Sequence, residues 1–275
     1  MKTSLLLIIT FFFGVNCYAQ NNLEYLKFGK KLMVYSEIMN DSMECWIRTP
    51  EKFEKANPKM DSISLLVLLD GDEYFKISSD ILEIYEWSDK APLTMIVALP
   101  STVASRWKYY TPSTSTYTGK DPKDSVLYAN SGQFTTYEKA IKDELFPSLE
   151  KQYDVEFNSK TIFGHSNGGL GALSFYTSGE EVFDNYIIAS PAILWDNYYL
   201  LNHIPTEEKL NKIYLTLGTN GWDYSLKSYA KLNELMKHNP NYKFQVNAQE
   251  SHATNGLRSL LDGLIYVNKK ENKIQ

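Results

Sequence analysis

Apolar residues recur along this chain in short unbroken runs of strand length, separated by stretches with helical spacing. Ile63 to Leu69 is such a run, and its lack of alternation predicts a strand covered on both faces. It stops at Asp70-Gly71-Asp72. Tyr74 to Trp87 then follows a helical period, and Leu93 to Leu99 reads as a second buried strand. Upstream, Leu32–Ile38 and Met43–Arg48 flank Asn40-Asp41 and predict a β-hairpin with its turn at that pair. Downstream, Thr161–Phe163, Tyr186–Ala189, Lys212–Leu217 and Lys243–Ala248 read as strands. Between them, helices are expected from Thr135 or Thr136 to Gln152, over Leu170–Tyr176, over Tyr224–His238 and over Gly256–Val267. Pro147 should kink or break the first of these, because it supplies no N–H and crowds the preceding turn. Strands alternating with helices imply parallel pairing and right-handed crossovers. The reading is one doubly wound α/β domain over residues 20–275, with an antiparallel hairpin at its N-terminal end.

One stretch breaks the pattern. Pro100 to Phe134 is rich in Ser, Thr, Tyr and Gly and shows no apolar period. It is expected to be a long functional loop. Its Arg106, Trp107, Tyr109, Tyr110, Tyr117 and Tyr128 favour a loop that faces substrate.

Composition narrows the function. Aromatic residues make up 14% of the 275 positions, 20 of them tyrosine, which suits an aromatic-lined cleft. The net charge of −5, with basic runs confined to Lys27–Lys31 and Lys269-Lys270, excludes a nucleic-acid partner, since phosphate neutralisation needs a concentrated basic face. Lys2, the apolar Leu5–Val15 and the small residue of Cys17-Tyr18-Ala19 compose a secretory signal over residues 1–19, cleaved after Ala19. That run is too short to span a bilayer, so an exported protein without stable membrane insertion is expected, periplasmic or secreted. Acylation on Cys17 is the alternative. Cleavage after Ala19 leaves Cys45 as the one cysteine and permits no internal disulfide.

The candidate chemistry centres on Gly164-His165-Ser166-Asn167-Gly168, a Gly-x-Ser-x-Gly pattern between a β-prone run and a helix-prone one. A serine at a sharp strand-to-helix turn is held in a strained conformation, and its neighbours two positions away must be small. Its hydroxyl needs a base to become a nucleophile. The chain has four histidines. His165 adjoins the serine and should point away from the tip and pack beneath it. His203 lies in a loop, and His238 sits at a helix C-terminus where a structural role suffices. His252 follows the last strand, where functional groups of an open parallel sheet collect, and comes last in the order serine, acid, histidine. It is the expected base. Asp223 is the carboxylate nearest the end of the strand closing at Leu217 and is the candidate acid, although helix capping would also explain it. Asp196, Glu250, or a serine–histidine pair with no acid at all stand as alternatives. Backbone N–H groups of Asn167 and of Asp72 are the expected oxyanion donors. No metal site is expected, because no ligand cluster accompanies Asp70 and Asp72.

Leu68-Leu69-Asp70-Gly71-Asp72-Glu73-Tyr74-Phe75, Glu144-Leu145-Phe146-Pro147, Phe163–Gly169 and Ser190-Pro191 with Trp195 occur in an order that resembles the esterase family of the α/β-hydrolases. That family holds esterase D, ferric-siderophore esterases and feruloyl esterases. The resemblance implies an α/β-hydrolase fold, Ser166 as nucleophile, His252 as base, and hydrolysis of a small-molecule or carbohydrate- or siderophore-linked ester without a cofactor. Arg106, Trp107, Tyr109 and Trp195 are the candidate substrate-binding residues. Where the family often carries Arg-x-Arg-Asp before Thr-Pro, this chain has Arg106-Trp107-Lys108-Tyr109-Tyr110-Thr111-Pro112, without the aspartate. Two other readings stay open: an acyltransferase using the same triad, and a non-catalytic ligand-binding protein on a hydrolase scaffold.

Overall fold

A computed structural model describes residues 28–51, 63–115, 122–220 and 226–269. Eight strands form one sheet: β1 (Lys30–Ser36), β2 (Asp41–Arg48), β3 (Ile63–Leu69), β4 (Thr94–Leu99), β5 (Phe157–His165), β6 (Asn185–Ala189), β7 (Lys212–Asn220) and β8 (Tyr242–Ser251). Their spatial order is β1-β2-β4-β3-β5-β6-β7-β8. β1, β2 and β4 pair antiparallel, and every other pairing is parallel. The hairpin expected from the sequence is therefore present, and it docks onto the parallel sheet along β4.

The unbroken apolar runs explain why the sheet is covered twice. In β3, Leu65, Val67 and Leu69 enter the core on one face, while Leu66 and Leu68 enter the core on the other. Helix α1 (Gly71–Trp87) and the last helix, α8 (His252–Asn268), cover the second face with Tyr74, Phe75, Leu82, Tyr85, Leu260 and Leu264. The opposite face carries α6 (Asn167–Thr177), buried over most of its circumference as its run Leu170–Tyr176 foretold.

Three expectations need correction. The stretch from Pro100 to Phe134 is not structureless: it holds α2 (Val103–Tyr109) and α3 (Pro122–Ala129). α2 starts on Thr102, whose hydroxyl accepts from the Ser105 N–H while the Ser105 hydroxyl accepts from the Thr102 N–H, a reciprocal cap. Pro147 does not break its helix. α4 (Phe134–Ala140) widens into a π turn at Ile141–Leu145 and continues as α5 (Phe146–Tyr153), and this wider turn just ahead of the proline gives its ring room. Finally, α8 begins at His252 rather than at Gly256, so the expected loop between the last strand and the last helix is missing. α7 (Leu226–Met236) completes the layer beside β7 and β8.

Parallel register brings the strand ends to one edge. His165 pairs with Ala189, Ala189 with Thr216, and Asn220 with Ser251. Ser166, Ser190 and His252 consequently follow one another along the carboxyl edge. β4 and β5 flank β3 on opposite sides, so the chain reverses its direction of travel there, which is where an open sheet leaves a crevice for ligands.

Candidate active site

Gly164 lies in the buried end of β5, and a methyl group on it would overlap the carbonyl of Gly168. With both glycines bare, β5 turns directly into α6. Ser166 is held at φ 57°, ψ −116°, a conformation that non-glycine residues avoid. The turn is fixed from outside: the Ser166 N–H donates to the Ala189 carbonyl, and the Ser166 carbonyl accepts from Ala192 N–H at 2.9 Å. The hydroxyl is thus presented by backbone alone.

His252 arrives from the other side of the edge. Its Nε2 lies 3.0 Å from Ser166 Oγ, across 86 residues of sequence. Ser251 caps α8 through reciprocal bonds with Thr254, which places His252 as the first helical residue. One turn on, Asn255 Nδ2 donates to Ser190 Oγ at 2.8 Å and to Thr216 Oγ1 at 2.9 Å, while its Oδ1 accepts from Asn247 Nδ2. Those bonds pin the start of α8 to Ser190 just past β6, to the middle of β7 and to β8. Burial, and then the positive charge of Arg106, push the His252 imidazole below the ordinary histidine pKa, so the ring is neutral and able to accept a proton at pH 7.

His165 does more than pack beneath the turn. Its Nε2 reaches the backbone carbonyl of His252 at 2.7 Å, and Tyr74 Oη lies 2.9 Å from its Nδ1. Burial, and secondarily the neighbouring His252, drive its pKa down to about 4. No motif in the sequence announced this contact, although the adjacency of His165 to Ser166 did bring the residue to notice.

Both expected oxyanion residues sit at helix starts. Asn167 is the first residue of α6, and Asp72 is the second of α1. The two helices leave neighbouring parallel strands on the same edge, so their unbonded N-terminal N–H groups gather there. The Asp72 carboxylate turns aside and accepts from Ser101 N–H. Between the two helix starts lies Asp70, left-handed at φ 52° and almost wholly buried. Its carboxylate accepts from Ser101 Oγ and from Arg106 Nη2 at 3.0 Å.

Arg106 and Trp107 reach the edge from α2. Trp107 stacks on Trp195 with centroids 5.1 Å apart, and Tyr128 closes a three-ring cluster against both. Trp195 is fixed by its indole N–H, shared between the carbonyl and hydroxyl of Ser113. Tyr109 departs from the substrate-facing expectation: it is buried in the core, stacked 5.2 Å from Tyr137, because the helical period of α2 turns it inward. Asp223 and Tyr117 lie outside the described residues. Asp196 sits left-handed in the turn after Trp195, and Glu250 lies half-buried near the end of β8. Among the described residues no cluster of three or more His, Cys, Asp or Glu could hold a metal ion.

The model of the Esterase family, described as "Putative esterase", matches residues 36–258. The chain belongs to the Esterase family. Its α/β-hydrolase-type fold is shared with an IroE-like serine hydrolase of Shewanella oneidensis, at a TM-score of 0.73 and 21% identity over 86% of this chain and 79% of that one. It is shared also with the BES protein of Bacillus cereus, at a TM-score of 0.71 and 22% identity over 90% and 98%. Curated relatives in the esterase family include the ferri-bacillibactin esterase BesA of Bacillus subtilis, 38% identical over 61 residues, which is 22% of this chain and 21% of that protein. The siderophore enterobactin esterase of Emericella nidulans is 28% identical over 161 residues, 54% of this chain and 52% of that protein. The chain thus matches at most about half the length of these two relatives.

Proposed function

We propose that this chain is an exported serine carboxylesterase that forms an acyl-enzyme on Ser166 with His252 as general base. The observation that carries this reading is the 3.0 Å approach of His252 Nε2 to a serine hydroxyl held at a strained elbow. In the forward step Nε2 takes the hydroxyl proton as Oγ attacks the ester carbonyl. The developing oxyanion is met by the N–H groups of Asn167 and of the start of α1 at Asp72. The imidazolium then gives its proton to the departing alkoxide. Water, deprotonated by the same ring, cleaves the acyl-enzyme and restores Ser166. Asp223 is assigned as the acid that orients His252, by its place after β7.

The relatives named as siderophore esterases support a siderophore-type ester as substrate. Half-buried Trp107 and Tyr128, backed by Trp195, which is itself buried in the core and not open as expected, offer aromatic surface that suits an aryl acyl group, and Arg106 suits one bearing negative charge. The Arg106 side chain stays 27% exposed beside Asp70, which leaves guanidinium surface to face substrate. Export rests on the sequence of residues 1–19, which lie outside the described residues. No helix among the described residues is long and apolar enough to cross a membrane.

The test is hydrolysis of p-nitrophenyl, feruloyl and catechol-capped trilactone esters by the purified protein. Ser166→Ala should abolish turnover of every ester the wild type cleaves, and Asp223→Asn should lower kcat by roughly 10⁴-fold while the fold survives. An unchanged Asp223→Asn rate would move the acid to Asp196 or Glu250. Turnover that survives in Ser166→Ala would remove the mechanism.

A further inference from the structure

We propose that His165 is a positioning residue: its Nε2–H, fixed in that tautomer by the Tyr74 hydroxyl, holds the backbone carbonyl of His252 and so sets the catalytic imidazole against Ser166. The inference rests on the esterase reading for its kinetic consequence, though not for the bond itself.

Hydrogen-bond arithmetic assigns the tautomer. A backbone carbonyl only accepts, so the 2.7 Å contact requires the proton on His165 Nε2. His165 Nδ1 is then a bare acceptor, and Tyr74, 2.9 Å away, donates to it. Both side chains are buried, so no water competes for these bonds. The space for the pair is left deliberately open on α8. A methyl group on Gly256 would overlap the Tyr74 hydroxyl and press on the His165 ring at 3.1 Å.

The carbonyl that His165 holds belongs to the residue whose imidazole meets the nucleophile. β5 thus fixes two things within two consecutive residues: the hydroxyl of Ser166 by its backbone, and the root of His252 by the side chain of His165. The two groups that meet across the 3.0 Å gap are thus referred to neighbouring residues at the end of one strand. The rings of His165 and His252 lie 4.8 Å apart, so a neutral His165 also avoids a second positive charge when His252 becomes imidazolium. A histidine that merely fills the core would contribute to stability and leave the rate alone.

The experiment compares wild type, His165→Leu, His165→Gln and Tyr74→Phe. kcat and KM are measured with p-nitrophenyl acetate, Tm by calorimetry, and imidazole ¹⁵N shifts on ¹⁵N-labelled protein. Loss of the anchor is expected to lower kcat by about 10²-fold in His165→Leu, the cost of a misplacement of about 1 Å, with KM moving less than about threefold. Gln restores an N–H near the Nε2 position and should recover most of that loss. A folded His165→Leu with wild-type kcat, or a Gln variant no faster than Leu, would overturn the proposal. Should His165→Leu not fold, Tyr74→Phe, which keeps the ring and deletes only the donor, carries the same test at about three- to tenfold in kcat. The wild-type ¹⁵N spectrum decides the bond independently of turnover. A proton on His165 Nε2 supports it, and a proton on Nδ1 sinks it. Absence of all ester turnover in wild type, with the Nε2 tautomer present, would instead count against the esterase reading.

Discussion

The His252 imidazole is half-buried, and among the described residues the charge that shifts its pKa is positive. Arg106 lies close enough to depress its pKa, after the larger effect of burial, and the neutral His165 ring lies behind it. A general base must be unprotonated to accept the serine proton, so activity is lost only as pH falls through this depressed pKa. The acidic limb of the kcat/KM profile is therefore expected below 6.5, the ordinary histidine value. Arg106→Gln removes the positive charge, raises the His252 pKa and moves the limb to higher pH. A limb that stays in place would show that Arg106 does not act on His252. At this scale the sequence named Ser166, His252, Asn167 and Arg106 by type and order. It could not show what His165 touches, because that contact joins β5 to α8 and depends on a gap that Gly256 leaves in a different element.

Among the elements, the start of α8 matters most to the chemistry. Its reciprocal cap between Ser251 and Thr254 is intact, so Ser251→Ala should cost about 1 kcal/mol and lower Tm by roughly 2–4 °C for a domain of this size. Because His252 is the first residue after the cap, kcat should fall as well, and calorimetry beside steady-state kinetics checks both. An unchanged Tm would mean that the bonds of Asn255 to Ser190 and Thr216 and the contact from His165 hold the helix start without the cap. The same element shows why boundaries were less legible than existence. His252-Ala253-Thr254-Asn255 carries little helix propensity, and the segment is helical because Asn255 is tied to two other strands. Likewise α2 lacks an apolar period and rests on its cap, whereas β3 and β4 were plain from unbroken apolar runs that only a doubly covered strand needs.

For the molecule as a whole, the antiparallel hairpin and the parallel sheet are joined by a buried ion pair. Arg48 on β2 donates to both carboxylate oxygens of Glu86 on α1, at 2.7 and 3.0 Å, and to the Thr94 carbonyl. Arg48→Met strands a buried carboxylate and should destabilise the fold by about 3–5 kcal/mol, whereas Arg48→Met with Glu86→Leu should recover most of that loss. Urea denaturation of the two variants distinguishes an ion pair that is costly to break from one that is essential. If the double variant is no more stable than the single one, the pair contributes more than the cost of an unpaired charge. The fold class was readable from alternating strands and helices. The layout that brings Ser166 to His252 followed from strand order, which fixes where the carboxyl edge lies.

The central claim is that Ser166 is a nucleophile activated by His252, and covalent labelling tests it most directly. Folded wild type treated with a fluorophosphonate at neutral pH should carry one adduct, mapped by peptide mass to Ser166, and Ser166→Ala should carry none. Wild type that stays unlabelled, or an adduct on another residue that persists in Ser166→Ala, would contradict it.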